Sequence, residues 1–161
     1  MKNILVSACL LGHSCRYDGK SKPCERVIAL SDTYTLVPIC PEVMGGLPTP
    51  RTPSEICGER VLMKDGKDVT ENYNRGAQKA LEIARENACT VAILKEKSPS
   101  CGSGLIHNGL FDGGLVAGDG IAAQMLKNAV NFCNGIYYQL TKYQLKEISR
   151  IVALLQENGI V

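Results

Sequence analysis

Two periods of hydrophobic and polar positions alternate along the chain. Near the amino end, "NILVSA" sets Ile4, Leu5 and Val6 in one unbroken apolar run, which predicts a buried strand over Asn3–Ala8 leading into a glycine loop. "SKPCERVIALSD" suits a helix, with Ser21 as its cap and Pro23 in the first turn. "TYTLVPICPE" gives a second strand stopped at Cys40-Pro41, and "GGLPTPRTP" carries too much proline and glycine for regular structure. "RVLMKDGKDVT" reads as a hairpin turning near Asp65-Gly66. "NYNRGAQKALEIARENA" is the clearest helix of the chain, and a third strand follows in "CTVAILKEK". After the loop "SPSCGSG", "LIHNGLFDGGLVAGDG" suggests a hairpin or irregular extension. Two helices, over Gly120–Asn131 and Lys142–Asn158, are expected to finish the chain.

Strands alternating with helices predict an α/β fold. The expectation is one domain over 1–161, a largely parallel, Rossmann-like sheet flanked by helices, with hairpin excursions and a helical C-terminal segment over 121–161. Such sheets bind ligands in the crevice beyond the carboxyl ends of their strands. That rule sorts the cysteines. Cys9 follows the first strand, Cys40 ends the second and Cys101 follows the third, so the fold should bring these three thiols to one edge. Cys89 precedes the third strand and belongs at the opposite edge.

Composition changes this picture little, and cysteine content changes it more. The 161 residues are enough for one domain with a core, and 45% apolar with 21% charged residues is ordinary globular usage. A net charge of +2 gives no strong pull toward nucleic acid or membrane, although Arg16, Lys20 and Lys22 can meet a phosphate locally. The apolar stretch at Ile4–Val6 is too brief for a signal peptide, and no segment approaches the roughly 20 apolar residues of a membrane span. The expected compartment is the cytoplasm, where structural disulfides are disfavoured. Eight cysteines therefore divide between inert packing and chemistry. Cys24 shares a helical face with Val27 and Ile28 and should pack, while Cys57 and Cys133 show no partner pattern. Cys15, in "GHSCRYDG", is open between a fourth ligand, a spare thiol nearby and a simple loop residue.

Three converging thiolates can hold a soft metal centre and leave one position free. Zinc tolerates this, and so does a cubic iron–sulfur cluster, which with three cysteines keeps one iron open. A thiol nucleophile needs a base, and neither His13 nor His107 makes a convincing dyad by position. Glu42, two residues after Cys40, can serve as a general base toward water, or can simply pair with Arg51. Ser98 and Ser100 can donate hydrogen bonds or only form the turn. Arg16 and Asp18 of "RYDG" can close the site or pin their own loop.

Four motifs, "VSACLLGHSCRYDGKSK", "PICPEVMGGLPTPRTPSEI", "KEKSPSCGSG" and "GLVAGDG", resemble in order and spacing the DUF523 family, which includes bacterial thiouracil desulfidases. The resemblance covers most of the first 120 residues. It implies a [4Fe–4S] cluster on Cys9, Cys40 and Cys101, and non-redox removal of sulfur from a thiolated pyrimidine such as 4-thiouracil or its nucleotide. By the same motifs the carboxylate is Glu42 and the hydroxyl beside the cluster Ser98, with Ser100 as the alternative. The expected partners are that small molecule and the iron–sulfur assembly machinery; the oligomeric state is open. A zinc or iron–sulfur carrier without turnover, or a metal-free thiol hydrolase, is the competing class. After Gly120 the chain departs from the family pattern, reading as an extra helical segment with the last strand missing.

Overall fold

The computed structural model describes residues 3–129 and 137–139. In chain order the elements are β1 (Asn3–Ser7), α1 (Glu25–Ile28), β2 (Thr35–Ile39), α2 (Pro41–Met44), β3 (Ser54–Cys57), β4 (Arg60–Met63), α3 (Thr70–Glu86), β5 (Val91–Leu94), β6 (Leu105–His107), β7 (Leu115–Ala117), α4 (Ile121–Asn128) and β8 (Tyr137–Gln139). Short 3-10 turns follow β1 at Ala8–Leu11 and α1 at Ala29–Asp32. The expected parallel sheet is present: four strands in the order β2-β1-β5-β8, with every neighbouring pair parallel.

The chain crosses from β1 to β2 on one side of β1, then returns past β1 to β5 on the other. Parallel crossovers are right-handed, so this reversal sends the connecting helices to opposite faces. The alternation of side chains along the strands records it. Ile4, Val6, Val91 and Ile93 pack with Val27 of α1 and Tyr34. Leu5, Val37, Ile39, Ala92 and Leu94 pack with Ala80, Leu81 and Ala84 of α3 and Ala123 and Leu126 of α4. Burial on both faces explains why β1 and β5 read as unbroken apolar runs.

The structure revises several boundaries. The first helix begins at Glu25 rather than Ser21, and Cys24 precedes it in extended conformation without a side-chain cap. The reason is competition for donors: the Lys22 and Cys24 N–H groups bond Cys9 O and Leu10 O, both at 2.9 Å, instead of entering a helix. The first hairpin is β3–β4, paired from Ser54↔Met63 to Cys57↔Arg60 and turning at Gly58-Glu59. The expected turn at Asp65-Gly66 also exists, closed by Met63 N–H to Lys67 O at 2.8 Å and Val69 N–H to Val61 O at 2.9 Å around the bridge Leu62↔Asp68. β6–β7 is the antiparallel hairpin expected after the cysteine loop. Beyond Gly120, α4 is the expected helix. The strand read as missing is present, because 137–139 pair in parallel with β5. The helix expected over Lys142–Asn158 and Cys133 lie outside the described residues.

Small residues on α3 let other backbone come close. Gly76 faces Pro41 of α2, where a Cβ would lie 1.8 Å from the Pro41 carbonyl oxygen. Asn72 Nδ2 donates to Gly45 O at 2.9 Å, fixing the other end of α2. On an exposed helix surface Gly→Ala adds about 1 kcal/mol of stability. Here Gly76→Ala should instead cost about 1–3 kcal/mol through backbone overlap. Urea unfolding checks the sign, and a midpoint unchanged or raised in Gly76→Ala would contradict the α2–α3 contact.

Candidate functional site

The carboxyl ends of β1, β2 and β5 deliver Cys9, Cys40 and Cys101 to one cavity of about 380 Å³. Each arrives by a different local device. Cys9 lies in the 3-10 turn that continues β1, its carbonyl accepting the Lys22 N–H. Cys40 is the extended residue before α2, and Pro41 occupies the first helical position, where its missing N–H costs nothing. Cys101 sits in a loop built by Ser98, whose Oγ accepts the N–H groups of Ser100 and Cys101, both at 3.1 Å. That loop also finishes α4: Pro99 O takes the Ile121 N–H and Ser100 O those of Ala122 and Ala123. Gly120 makes this possible, since a Cβ there would sit 2.5 Å from Ser100 backbone atoms. Where β1 and β5 end, Ser7 Oγ accepts the Lys95 N–H at 2.8 Å and holds the two exits together.

The remaining cysteines separate from these. Cys89 is buried at the start of β5, away from the cavity, and Cys24 packs against the β1 face, as expected. Cys57 is half-buried, with its thiol 3.3 Å from Gly109 O. Cys15 joins the site: it lines the cavity beside Cys9 and Cys40, and its carbonyl lies 3.7 Å from Cys40 Sγ.

Electrostatics in the thiol group is uneven. The Cys15 thiol donates to Cys9 and draws it below the ordinary thiol range in spite of burial. The same Cys15, then burial, push Cys40 well above that range. Burial raises Cys101 to about 12, against the opposing pull of the Ser7 and Ser100 hydroxyls. Such thiols give up their protons only to a strongly positive group, which is what iron or zinc supplies. Among the described residues no three His, Cys, Asp or Glu side chains gather closely enough around one point to hold a single metal ion. Zinc needs its donors around one centre at roughly 2.0–2.3 Å. A cubic cluster takes each thiolate on a different iron, and Cys9, Cys40 and Cys101 all line the one cavity.

Glu42 occupies the same cavity, and the pairing with Arg51 is real. Its Oε2 lies 2.6 Å from Arg51 Nη2, and its Oε1 accepts the Tyr73 hydroxyl. Arg51 also donates to Cys15 O at 2.9 Å, Pro48 O at 3.2 Å and Thr49 Oγ1 at 3.1 Å. Its side chain is only 2% exposed, and the Glu42 carboxylate offsets the cost of burying the charge. Ser98 and Ser100 both line the cavity, Ser98 with its oxygen already accepting two bonds. Arg16 lies at the rim; Asp18 does not line the cavity but holds Arg16 at 3.7 Å and accepts the Lys20 N–H at 3.0 Å, so it pins the loop.

Several lining residues were not singled out for the site from the sequence, among them Lys95, Glu55 and Phe111, with His107 weighed only as a base. Their signal was weak: Glu55 is one carboxylate in a short strand, and nothing local tells which wall of which cavity a hairpin will form.

A model of the 2-thiouracil desulfurase family matches residues 4–134. The uncharacterized protein YbbK of Bacillus subtilis (strain 168) is 45% identical over 136 residues, which is 78% of this chain and 90% of that protein. The solved structure of the [4Fe-4S]-dependent thiouracil desulfidase TudS superposes with a TM-score of 0.81 at 43% identity, covering 96% of this chain and 99% of that one. The likeness therefore extends well past Gly120.

Arg51→Ala takes the guanidinium away from the Glu42 carboxylate and from the Cys15 and Pro48 carbonyls, and should cost about 3–5 kcal/mol in urea unfolding. Arg51→Lys should recover only part of this, because an ammonium cannot reproduce the planar fork. Equal stability of wild type and Arg51→Ala would show that the pair does not organise the site.

Proposed function

The chain belongs to the 2-thiouracil desulfurase family, and on that footing we propose that it hydrolyses the C=S group of a thiolated pyrimidine to C=O and releases hydrogen sulfide. One water is consumed and no electrons are exchanged. The observation that carries this reading is the gathering of Cys9, Cys40, Cys101 and Glu42 around one cavity at the point where the strand order reverses. The three cysteines would hold a [4Fe–4S] cluster, the cofactor named for the TudS structure. When bound, such a cluster supplies an iron without a protein ligand, a Lewis acid with affinity for sulfur.

The protein's own groups do the rest. Glu42 lies close to Cys40 and Cys101 and is fixed in place by Tyr73 and Arg51, so it can take a proton from a water directed at the thiocarbonyl carbon. Each carboxylate oxygen keeps a second lone pair for that task. Ser98 accepts two backbone N–H groups, which leaves its hydroxyl proton free to donate toward the departing sulfur or the ring. Ser100, 1% exposed beside Cys101, is the alternative donor. Arg16 meets the outer edge of the substrate at the rim, as a free base or a nucleotide, with Asp18 holding the arginine. Loading of the cluster falls to iron–sulfur assembly proteins, and the reaction fits the cytoplasm. No helix among the described residues is long and apolar enough to cross a membrane.

Anaerobic preparation should give a broad absorbance near roughly 400 nm with acid-labile sulfide. Cys9→Ser, Cys40→Ser and Cys101→Ser should each lose it, while Cys24→Ser and Cys89→Ser keep it; stoichiometric zinc without iron would contradict the assignment. Sulfide release from 4-thiouracil should fall by about a hundredfold or more in Glu42→Gln with the absorbance retained. Wild-type turnover in Glu42→Gln would remove Glu42 from the chemistry.

A further inference from the structure

Five buried side-chain polar atoms have no hydrogen-bond partner among the described residues: Arg51 Nε, Ser54 Oγ, Glu96 Oε2, Ser100 Oγ and His107 Nδ1. All five residues line the same cavity. Ser54 approaches the Tyr73 hydroxyl, and Ser100 the Cys101 thiol, without forming a proper bond. Buried polar groups are otherwise almost always satisfied, so their concentration here marks a cavity shaped for a polar ligand.

His107 stands out because of what faces it. Glu55 reaches the cavity from β3 and His107 from β6, two hairpins that contribute nothing to the parallel sheet. The Glu55 side chain is 8% exposed, and its Oε2 accepts the Phe111 N–H at 2.8 Å. Its Oε1 lies 3.9 Å from His107 Nδ1, too far for the two to satisfy each other. The hairpins are locked together beside this pair. Gly109 lies where a Cβ would be 2.6 Å from Ile56 O, and Gly109 O meets the Cys57 thiol at 3.3 Å. Phe111, also in the lining, is held at a positive φ of 54°, uncommon for a residue with a side chain.

We propose that Glu55 and His107 read the lactam edge of the substrate ring, the carboxylate accepting a ring N–H and the imidazole Nδ1–H donating to the adjacent ring carbonyl, with Phe111 against the ring. The assignment rests on the desulfidase reading and adds the groups that distinguish an N–H-bearing pyrimidine from its N-alkylated analogue. A carboxylate paired with an imidazole donor accepts a neighbouring donor and acceptor, and an N-methyl group would meet the buried carboxylate with nothing to offer it.

The test is calorimetric binding of uracil, the desulfurated ring, to cluster-loaded protein, alongside sulfide release from 4-thiouracil and its N3-methyl derivative. Glu55→Gln and His107→Ala should each weaken uracil binding by about tenfold or more. They should raise KM far more than they lower kcat, and narrow the preference for 4-thiouracil over the N-methylated ring. Cluster absorbance should stay at the wild-type level. Affinities within twofold of wild type in both variants, or no uracil binding by the wild type, would overturn the assignment. His107 is partly exposed, so His107→Ala remains informative even if Glu55→Gln does not fold. Absence of sulfide release by a wild type that still binds uracil through these residues would instead overturn the desulfidase reading and leave the recognition edge standing.

Discussion

A single buried guanidinium ties the site together. Arg51 holds the Glu42 carboxylate at 2.6 Å while donating to Cys15 O, Pro48 O and Thr49 Oγ1. One side chain thereby joins the thiol-bearing loop after β1, the helix that begins after Cys40 and the proline-rich loop that closes over both. Burying two charges costs several kcal/mol for each ion, and attraction alone seldom recovers it. The surplus here comes from further hydrogen bonds: three more acceptors bind the guanidinium through its Nη atoms, and Tyr73 binds the second carboxylate oxygen. The pair therefore serves geometry more than stability, placing a fixed carboxylate against the thiols.

That carboxylate and the buried thiols raise an electrostatic problem which the protein alone leaves open. Cys101 is pushed up to about 12 by burial, and Cys40 is raised by its contact with Cys15 and by burial. Lys95, which lines the same cavity, is itself held below its ordinary range by burial and stands next to Glu96. A positively charged group at the thiols would resolve this imbalance, and a planar polar ring would meet unpaired atoms such as His107 Nδ1 on the hairpin wall. On the proposed function, the strand ends carry the sulfur chemistry and the hairpins the ring recognition.

Much of this was legible in the sequence because it depends on local pattern. Unbroken apolar runs mark strands buried on both faces, and the strand-exit rule places Cys9, Cys40 and Cys101 together without any structure. The misplaced features share a different cause. The first helix starts late because Lys22 and Cys24 give their N–H groups to the turn after β1, a contact between segments that periodicity does not encode. The turn at Asp65-Gly66 is where the sequence places it, but β4 also pairs on its other side with β3 through the turn at Gly58-Glu59, a partner that the pattern of β4 alone does not name. The strand at 137–139 escaped notice because three residues are too few to show a period. Glu55 and His107 were invisible as a pair because 52 positions separate them and only the hairpin contact brings them together.

The central claim is that three thiols at the reversal of strand order hold an iron–sulfur cluster with one iron left for the substrate. Mössbauer spectroscopy of protein loaded with 57Fe, before and after addition of 4-thiouracil, reads this directly. Substrate sulfur at one open iron should move about a quarter of the iron signal to a new environment and leave the rest in place. A spectrum in which all four irons are unchanged by substrate, or one showing no cluster iron, would contradict it.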